Sequence, residues 1–505
     1  MKTRRMFTHI AAALSASLLA SPGAMAADSG SVEAGQLVSN ASGCSACHTG
    51  PSGKPFAGGT VLSTPFGDMA TANITPDKET GIGTWTRDDF EGALRRGVKK
   101  DGLPLYPSMP YVHFTKMTDD DIDALWAYMQ TVEPVNNRVD VNQLPFPFDV
   151  RASVFGWQML FFTEGRFQPD TTKSEVWNRG AYLVEALSHC GACHTPRDAV
   201  GGPITSRSLQ GSRVAEWYAP DISDGPDSVI ADWDVARLEG FLNGNDGMNH
   251  VAVGPMAEVL GELATIPPSD VHAIATYMKD QPPSDDKRSA PEEVKITPAL
   301  RQEWAGLFEG ECVTCHGADG EGAPGVAASL VGSGAVLARS PVNVISVLLE
   351  GIAPMGDYGA MPSFRDSLSN EQIAALANHV RTSWGNDAPA NARPDMVAGL
   401  RNVTSSTPGA TMADTCPNVP ADRISAALRG QIETMAAAST LDDAAVGDLI
   451  AKYDASNPDA TTTNRVVDLG GAYCQALEKN GAGKATIVSR QLALMNAVVT
   501  QSVAN

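Results

Sequence analysis

Basic residues are in short supply in this chain. Lys and Arg number 37 against 58 Asp and Glu, a net charge of −21 over 505 residues. That balance excludes nucleic acid as a partner and argues against direct attraction of the whole chain to anionic lipid. Long apolar runs are also missing beyond the N-terminus. The longest later candidate, Val154 to Phe162, falls well short of a bilayer's thickness, so no transmembrane helix is expected. No alternating βαβ pattern is visible. Cysteines are few, eight in all, and six fall in three copies of one five-residue pattern. The copies are Cys44-Ser45-Ala46-Cys47-His48, Cys190-Gly191-Ala192-Cys193-His194 and Cys312-Val313-Thr314-Cys315-His316.

C-x-x-C-H is the attachment signature of c-type haem. Its two thiols add to the porphyrin vinyl groups, and the adjacent histidine is held close enough to ligate the iron. Zinc is the first alternative, but it wants Cys and His pairs at short, knuckle-like spacing, and here the pairs lie far apart. A thioredoxin-like redox pair is the second, and it wants the βαβ pattern that is absent. The reading is three haem c groups, held covalently by Cys44, Cys47, Cys190, Cys193, Cys312 and Cys315, with His48, His194 and His316 as iron ligands.

The motifs open three similar stretches. A helical segment precedes each one: Val32–Ala41, Glu175–Ser188 and Leu300–Gly310. Asn73-Ile74-Thr75 and Trp85 in the first stretch match Asp221-Ile222-Ser223 and Trp233 in the second; the third keeps only Leu348-Leu349-Glu350-Gly351. Each stretch then carries a loop with Met beside Pro: Met109-Pro110, Pro255-Met256 and Met361-Pro362. From motif His to that Met the steps are 109 − 48 = 61, 256 − 194 = 62 and 361 − 316 = 45 residues. Met109, Met256 and Met361 are therefore expected as the second axial ligands, soft thioether sulfurs on proline-stiffened loops. Met117, Met248 and Met355 match less well, and Met129 and Met278 read as core. His113, His189, His250, His272 and His379 read as surface or core histidines. A helix with apolar residues at i, i+3, i+4 and i+7 closes each stretch, at Asp121–Met129, Asp270–Met278 and Gln372–Val380. Thr118 with Asp121, and Ser369 with Gln372, have the spacing of capping boxes.

The expected architecture is all-α: three tandem cytochrome c domains and a small helical C-terminal extension. Residues 1–26 read as a signal peptide, with Lys2, Arg4 and Arg5 before an apolar run and Ala24-Met25-Ala26 at the cleavage site. Thr3-Arg4-Arg5 hints at twin-arginine export, but the general secretion route delivers the unfolded chain that haem attachment needs. The domains then run 27–134, 175–281 and 297–390. Residues 135–174 form a packed apolar linker and 282–296 an exposed one. Residues 391–505 read as a helical extension with short helices near 420–437, 441–454, 464–479 and 485–503. Its Cys416 and Cys474 are expected to form a disulfide in an oxidising compartment. The one basic cluster, Arg95-Arg96-Gly97-Val98-Lys99-Lys100, reads as a solvated face, with a docking patch as the alternative.

A haem with His and Met on both sides has no open position, so it passes electrons rather than binding substrate. The chain resembles the three-haem cytochrome c subunit of periplasm-facing, membrane-bound bacterial dehydrogenases that act on alcohols, gluconate, sorbitol, fructose or aldehydes. The resemblance covers about residues 31–401. It rests on Leu105-Tyr106-Pro107-Ser108-Met109-Pro110-Tyr111, on Asn178-Arg179-Gly180-Ala181-Tyr182-Leu183-Val184 leading into His189 to Arg197, and on Val380-Arg381-Thr382-Ser383-Trp384-Gly385-Asn386. It implies a catalytic dehydrogenase partner carrying a flavin, pyrroloquinoline quinone or molybdenum cofactor, and ubiquinone as acceptor. A small third subunit fits the same picture, at the periplasmic face of the cytoplasmic membrane. The subunit would have no catalytic residue of its own. The long polar tail departs from the family, whose C-terminus usually helps to hold the membrane. Two other readings stand beside this one: a free periplasmic carrier, and a catalytic multihaem oxidoreductase with one ligand-accessible haem. Carbon monoxide binding would favour the latter, and co-purification with a larger subunit would exclude the former.

Overall fold

Two helices cross at the head of each motif stretch. Ser29–Ala41 lies across Asp119–Met129, Glu175–Tyr182 across Pro268–Met278, and Pro298–Glu311 across Asn370–Arg381. These pairs are the helices expected before each C-x-x-C-H and at the end of each stretch. The computed structural model describes residues 29–503 except 224, 226, 245, 282–288, 324, 356–357, 403–415, 417–418, 420–422, 439, 459 and 461. The expected signal peptide and residues 282–288 of the second linker lie outside the described residues.

Glycine sets the first two crossings. A methyl group on Gly35 would fall inside the Ala124 carbonyl and within 2.7 Å of Tyr128 Cβ. On Gly180 it would meet the Ala273 carbonyl and come within 2.7 Å of Tyr277 Cβ. The helices therefore touch backbone to backbone, and the paired residues correspond. One detail breaks the match: Gly35 is nine residues before Cys44, whereas Gly180 is ten before Cys190. A π-turn at Leu183–Leu187, with Ser188 N donating to Leu183 O at 2.7 Å, takes up the extra residue. The third crossing lacks such a glycine. Gly306 in its opening helix has open space where a side chain would stand.

The capping boxes come out differently. Ser369 and Gln372 form the reciprocal pair. Thr118 accepts from Asp121 N at 3.1 Å, but Tyr182 of the second stretch enters the box: its hydroxyl accepts from Thr118 N at 3.0 Å and donates to the Asp121 carboxylate. Thr86 and Asp89 form a further box.

The all-α expectation needs correcting. Two antiparallel hairpins are present, Val61–Thr64 with Gly67–Ala70 and Gln210–Val214 with Trp217–Asp221. Two-residue turns close them, Pro65-Phe66 and Ala215-Glu216, a length that favours hairpin pairing over helix. The chain is otherwise largely helical, at 47%.

Apolar cores divide the molecule. The first two stretches share one core, which runs from Val38, Leu94 and Ile122 to Leu183, Trp233 and Ile274. The third stretch has its own core, and helix Pro394–Arg401 joins it through Val397 and Leu400, beyond residue 390. The seam between second and third is mainly polar, with the Tyr218 side chain packed on the third core. Asn343 accepts from Tyr218 N and donates to Tyr218 O, both at 2.8 Å, and Ser346 Oγ donates to Glu216 O at 2.6 Å. Among the described residues the tail beyond 422 folds as four helices, Ala426–Ala437, Asp443–Ser456, Thr462–Lys479 and Lys484–Val503, around a separate core. Cys416 and Cys474 are bonded to each other.

Two buried arginines tie loops to helices. Arg95 donates to Met117 O at 2.6 Å and pairs with Glu91 and Asp119. Arg381 donates to the carbonyls of Val336 and Ala338, both at 2.7 Å. Arg95 therefore leaves the basic cluster; Arg96 and Lys100 face solvent and Lys99 is half-buried.

Candidate haem-binding site

Each motif is a short helical turn, Cys44–His48, Gly191–His194 and Val313–His316, at the foot of its opening helix. The spacing of three puts both sulfurs on one side of the turn and leaves the histidine at its end. Burial pushes the thiols up: Cys44, Cys190 and Cys312 to about 12 and Cys47 to about 11, with Cys193 and Cys315 raised also. Such sulfurs are neutral thiols at working pH. A redox-active pair needs a readily formed thiolate. Among the described residues no group of three or more His, Cys, Asp or Glu side chains converges as a metal site.

The histidines share one arrangement. His48 Nδ1 lies 2.7 Å from Ala72 O, His194 Nδ1 2.7 Å from Pro220 O, and His316 Nδ1 3.1 Å from Ala328 O. A carbonyl only accepts, so Nδ1 carries the proton and Nε2 keeps its lone pair for a metal. Burial lowers the basicity of all three rings, which keeps them neutral, although the carbonyl bond opposes it. The residue after each carbonyl forms a side-chain turn with the backbone two positions on. Asn73 Oδ1 accepts from Thr75 N at 3.0 Å, Asp221 Oδ1 from Ser223 N at 2.9 Å, and Ser329 Oγ from Val331 N at 3.1 Å. These turns fix the carbonyl that aims the imidazole.

Sequence reasoning matched Asn73-Ile74-Thr75 with Asp221-Ile222-Ser223 but missed Ser329-Leu330-Val331. The chemistry is the same, but the distance is not. The carbonyl is 24 and 26 residues past the histidine in the first two stretches and 12 in the third. Among the described residues the third stretch has only an isolated bridge there, Ala323 with Ala327, in place of a hairpin, which accounts for most of its shorter step to Met361.

The three expected methionines are all half-buried against a core, Met109 and Met256 on the shared one and Met361 on the third. Their backbones differ. Met109 is in a turn, with its N donating to Tyr106 O at 3.1 Å. Met361 pairs with Ile352 across a bridge, 2.9 Å in both directions. Met256 was expected on a loop but is the second residue of helix Pro255–Leu263, because a proline at the first helical position starts a helix. Met117, Met129 and Met278 are core, and Met248 is exposed. His272 meets Glu239 on the surface, and His379 packs with Phe308 and Trp384.

The first two motifs stand back to back. His189 Nε2 lies 3.3 Å from Ser42 O, so the residue before the second motif touches the approach to the first. Ser45 Oγ donates to Glu262 Oε1 at 2.9 Å, which seats the first motif on the helix that carries Met256. The third joins the second through His250, whose Nε2 lies 2.7 Å from Val331 O, inside the turn that aims His316. Neutral thiols, aimed imidazoles with a free Nε2 and half-buried thioethers fit haem c as a covalently held group.

Comparison with known proteins agrees with this chemistry. Residues 32–133 match the cytochrome c family model, and residues 299–380 match the model described as cytochrome c oxidase, cbb3-type, subunit III. The chain is 36% identical over 414 residues to the fructose dehydrogenase cytochrome subunit of Gluconobacter japonicus, covering 76% of this chain and 85% of that one. It is 34% identical over 402 residues to the cytochrome c subunit of the alcohol dehydrogenase (quinone) of Gluconacetobacter polyoxogenes, covering 75% and 85%. It is 40% identical over 381 residues to one of the subunits of nicotinate dehydrogenase from Pseudomonas putida, covering 73% of this chain but only 32% of that longer protein.

Proposed function

Since the chain belongs to the cytochrome c subunits of dehydrogenases and so transfers electrons through haem c, we propose that it carries three such groups and passes electrons from a catalytic dehydrogenase subunit to ubiquinone. The observation that carries the count is the threefold recurrence of one device: a C-x-x-C-H turn whose imidazole is aimed by a carbonyl beside a side-chain turn. The covalent residues are Cys44, Cys47, Cys190, Cys193, Cys312 and Cys315. The axial residues are His48 with Met109, His194 with Met256, and His316 with Met361.

Bound there, haem c supplies one-electron exchange at iron. The chain's own residues do the rest. The carbonyls of Ala72, Pro220 and Ala328 hold the Nδ1 protons and fix the rings. Cys44, Cys190 and Cys312 pack partly against the apolar cores, as do the three methionines. The Ser42–His189 and His250–Val331 contacts set the three sites in series. A partner with a flavin, pyrroloquinoline quinone or molybdenum cofactor oxidises a CH–OH or aldehyde donor, and a small third subunit completes the assembly. The complex works at the periplasmic face of the cytoplasmic membrane after the signal peptide is removed.

The test is affinity purification of the tagged protein from its native membranes, with pyridine haemochrome quantitation and identification of what co-elutes. The reading expects three haems per chain, a large dehydrogenase subunit, and haem reduction by that subunit's substrate without carbon monoxide binding. Two haems, or a protein eluting alone with a ligand-binding haem, overturns it.

A further inference from the structure

Helix Val154–Phe161 is apolar on both faces, yet only one of them is packed. Val154, Trp157 and Phe161 turn inward, and Trp157 meets the rings of Tyr111 and Phe161. The opposite face turns Phe155, Met159 and Leu160 outward. Met159 is 87% exposed and Leu160 77%, and Phe146 in the preceding loop is 81% exposed. Of the thirteen large apolar side chains exposed among the described residues, six lie between 146 and 160. A helix apolar all round is a buried helix, so this outer face is made to be covered. The packed linker read from the sequence is thus packed on one side only.

The surroundings indicate the cover. Gln158 Nε2 donates to Arg96 O at 3.1 Å, which seats the helix on the one basic cluster of the chain. Arg151 donates to Pro104 O at 3.2 Å and lies over the Tyr106 ring, 4.7 Å from its centre. Over residues 95–106 and 144–162 there are five basic residues, Arg95, Arg96, Lys99, Lys100 and Arg151, against two acidic ones, Asp101 and Asp149. With Arg95 buried, the outward sum is 4 − 2 = +2 in a chain of −21. Aromatic and aliphatic side chains ringed by cations match a headgroup interface carrying negative charge. An acidic chain repels such a surface everywhere else, so the local reversal selects the face.

We propose that this face, the outer side of helix Val154–Phe161 with the 146–150 loop, is where the protein sits on an anionic lipid bilayer. The proposal deepens the reading of a subunit that works at a membrane, and replaces the polar tail as the point of attachment. No helix among the described residues is long and apolar enough to cross a membrane, so contact would be in the interfacial plane.

The experiment is flotation of the haem-loaded full chain with vesicles of phosphatidylglycerol and phosphatidylcholine, and with phosphatidylcholine alone. The variants are Met159→Glu/Leu160→Glu, and Arg96→Gln/Lys100→Gln. All four side chains are exposed, and an unchanged haem spectrum confirms folding. The wild type should float with the mixed vesicles and at least tenfold less with phosphatidylcholine alone. Both variants should lose at least tenfold while the partner still reduces their haems. Glutamate variants that float like the wild type overturn the proposal. So does loss of the catalytic subunit on purification with flotation intact, because the face would then bind protein. Loss of quinone reduction alone, in detergent, would make it a quinone site instead. Flotation needs no electron transfer, so failure of the wire reading leaves this result interpretable.

Discussion

Gly35 and Gly180 offer a sharp test of how the first two stretches are built. Alanine is the better helix former, and replacing glycine inside a helix ordinarily gains about 0.5–1 kcal/mol. Here the new methyl would sit 2.7 Å from Tyr128 Cβ or Tyr277 Cβ, where carbon atoms prefer about 3.5–4.0 Å, and would also press on a carbonyl oxygen. Relief requires backbone movement, because two of the opposing atoms belong to main chain. Overpacking of that kind costs about 1–3 kcal/mol, so the net effect of Gly35→Ala or Gly180→Ala is a loss of about 0.5–2 kcal/mol. Gly306→Ala is the control: it lies in the matching helix of the third stretch with nothing to strike, and should stabilise by about 0.5–1 kcal/mol. The chain has several cores and does not unfold in one step, so the assay is peptide-resolved hydrogen exchange of the haem-loaded protein. Exchange in 29–41 and 119–129, or in 175–187 and 268–278, should speed up by about 2–30-fold, tenfold being about 1.4 kcal/mol. Exchange in 298–311 should slow in the control. If Gly35→Ala and Gly180→Ala protect their helices as well as glycine does, the backbone contact is not what sets the crossing.

Three further perturbations follow from the geometry. Arg381→Leu removes the donor shared by Val336 O and Ala338 O, and should cost at least about 2 kcal/mol, read as faster exchange in 334–350 with the first two stretches unaffected. His113, set between Glu185 O and the His189 ring, is pushed down to about 3 chiefly by burial and then by His189. A histidine depressed in the folded state is neutral in both states above about pH 6.5 and resists charging below it, so stability should fall between pH 6.5 and 3 by up to about 1.4 kcal/mol per pH unit. His113→Gln should flatten that slope in hydrogen exchange of 111–117 and 183–187 followed against pH, after correction for intrinsic exchange; an unchanged slope refutes the assignment. Cys416→Ser with Cys474→Ser opens a link across 58 residues, worth up to about 4 kcal/mol by chain entropy, and should loosen the four tail helices while leaving haem content intact.

The legible parts of this chain were those with short-range chemistry. The three C-x-x-C-H turns and the opening and closing helices were readable because the motif has a fixed spacing and an amphipathic helix a fixed period. The tail's four helices were legible within a few residues for the second reason. What the sequence hid were contacts between distant positions. Gly35 and Gly180 look like ordinary helix-weakening residues until a second helix lies on them. Arg95 reads as part of a basic cluster, yet its charge is spent indoors on Glu91, Asp119 and the Met117 carbonyl. Ser329 does the work of Asn73 and Asp221 with a hydroxyl instead of a carboxyl or amide, and without a hairpin before it. The two hairpins themselves fall in residues whose pattern carries no strong period, and their turns decide them.

The two joints of this molecule differ in kind. The first pair of stretches is joined by one shared apolar core; the third is held to them mainly by side chains that grip single backbone groups, Asn343 on Tyr218, Ser346 on Glu216 and His250 on Val331. Reshaping a shared apolar core takes many coordinated substitutions. A joint of a few polar clasps can be parted at little cost, because water replaces each lost bond. In descent, the paired front half should persist as an indivisible block, and the rear unit should be the part that lineages drop, swap or append.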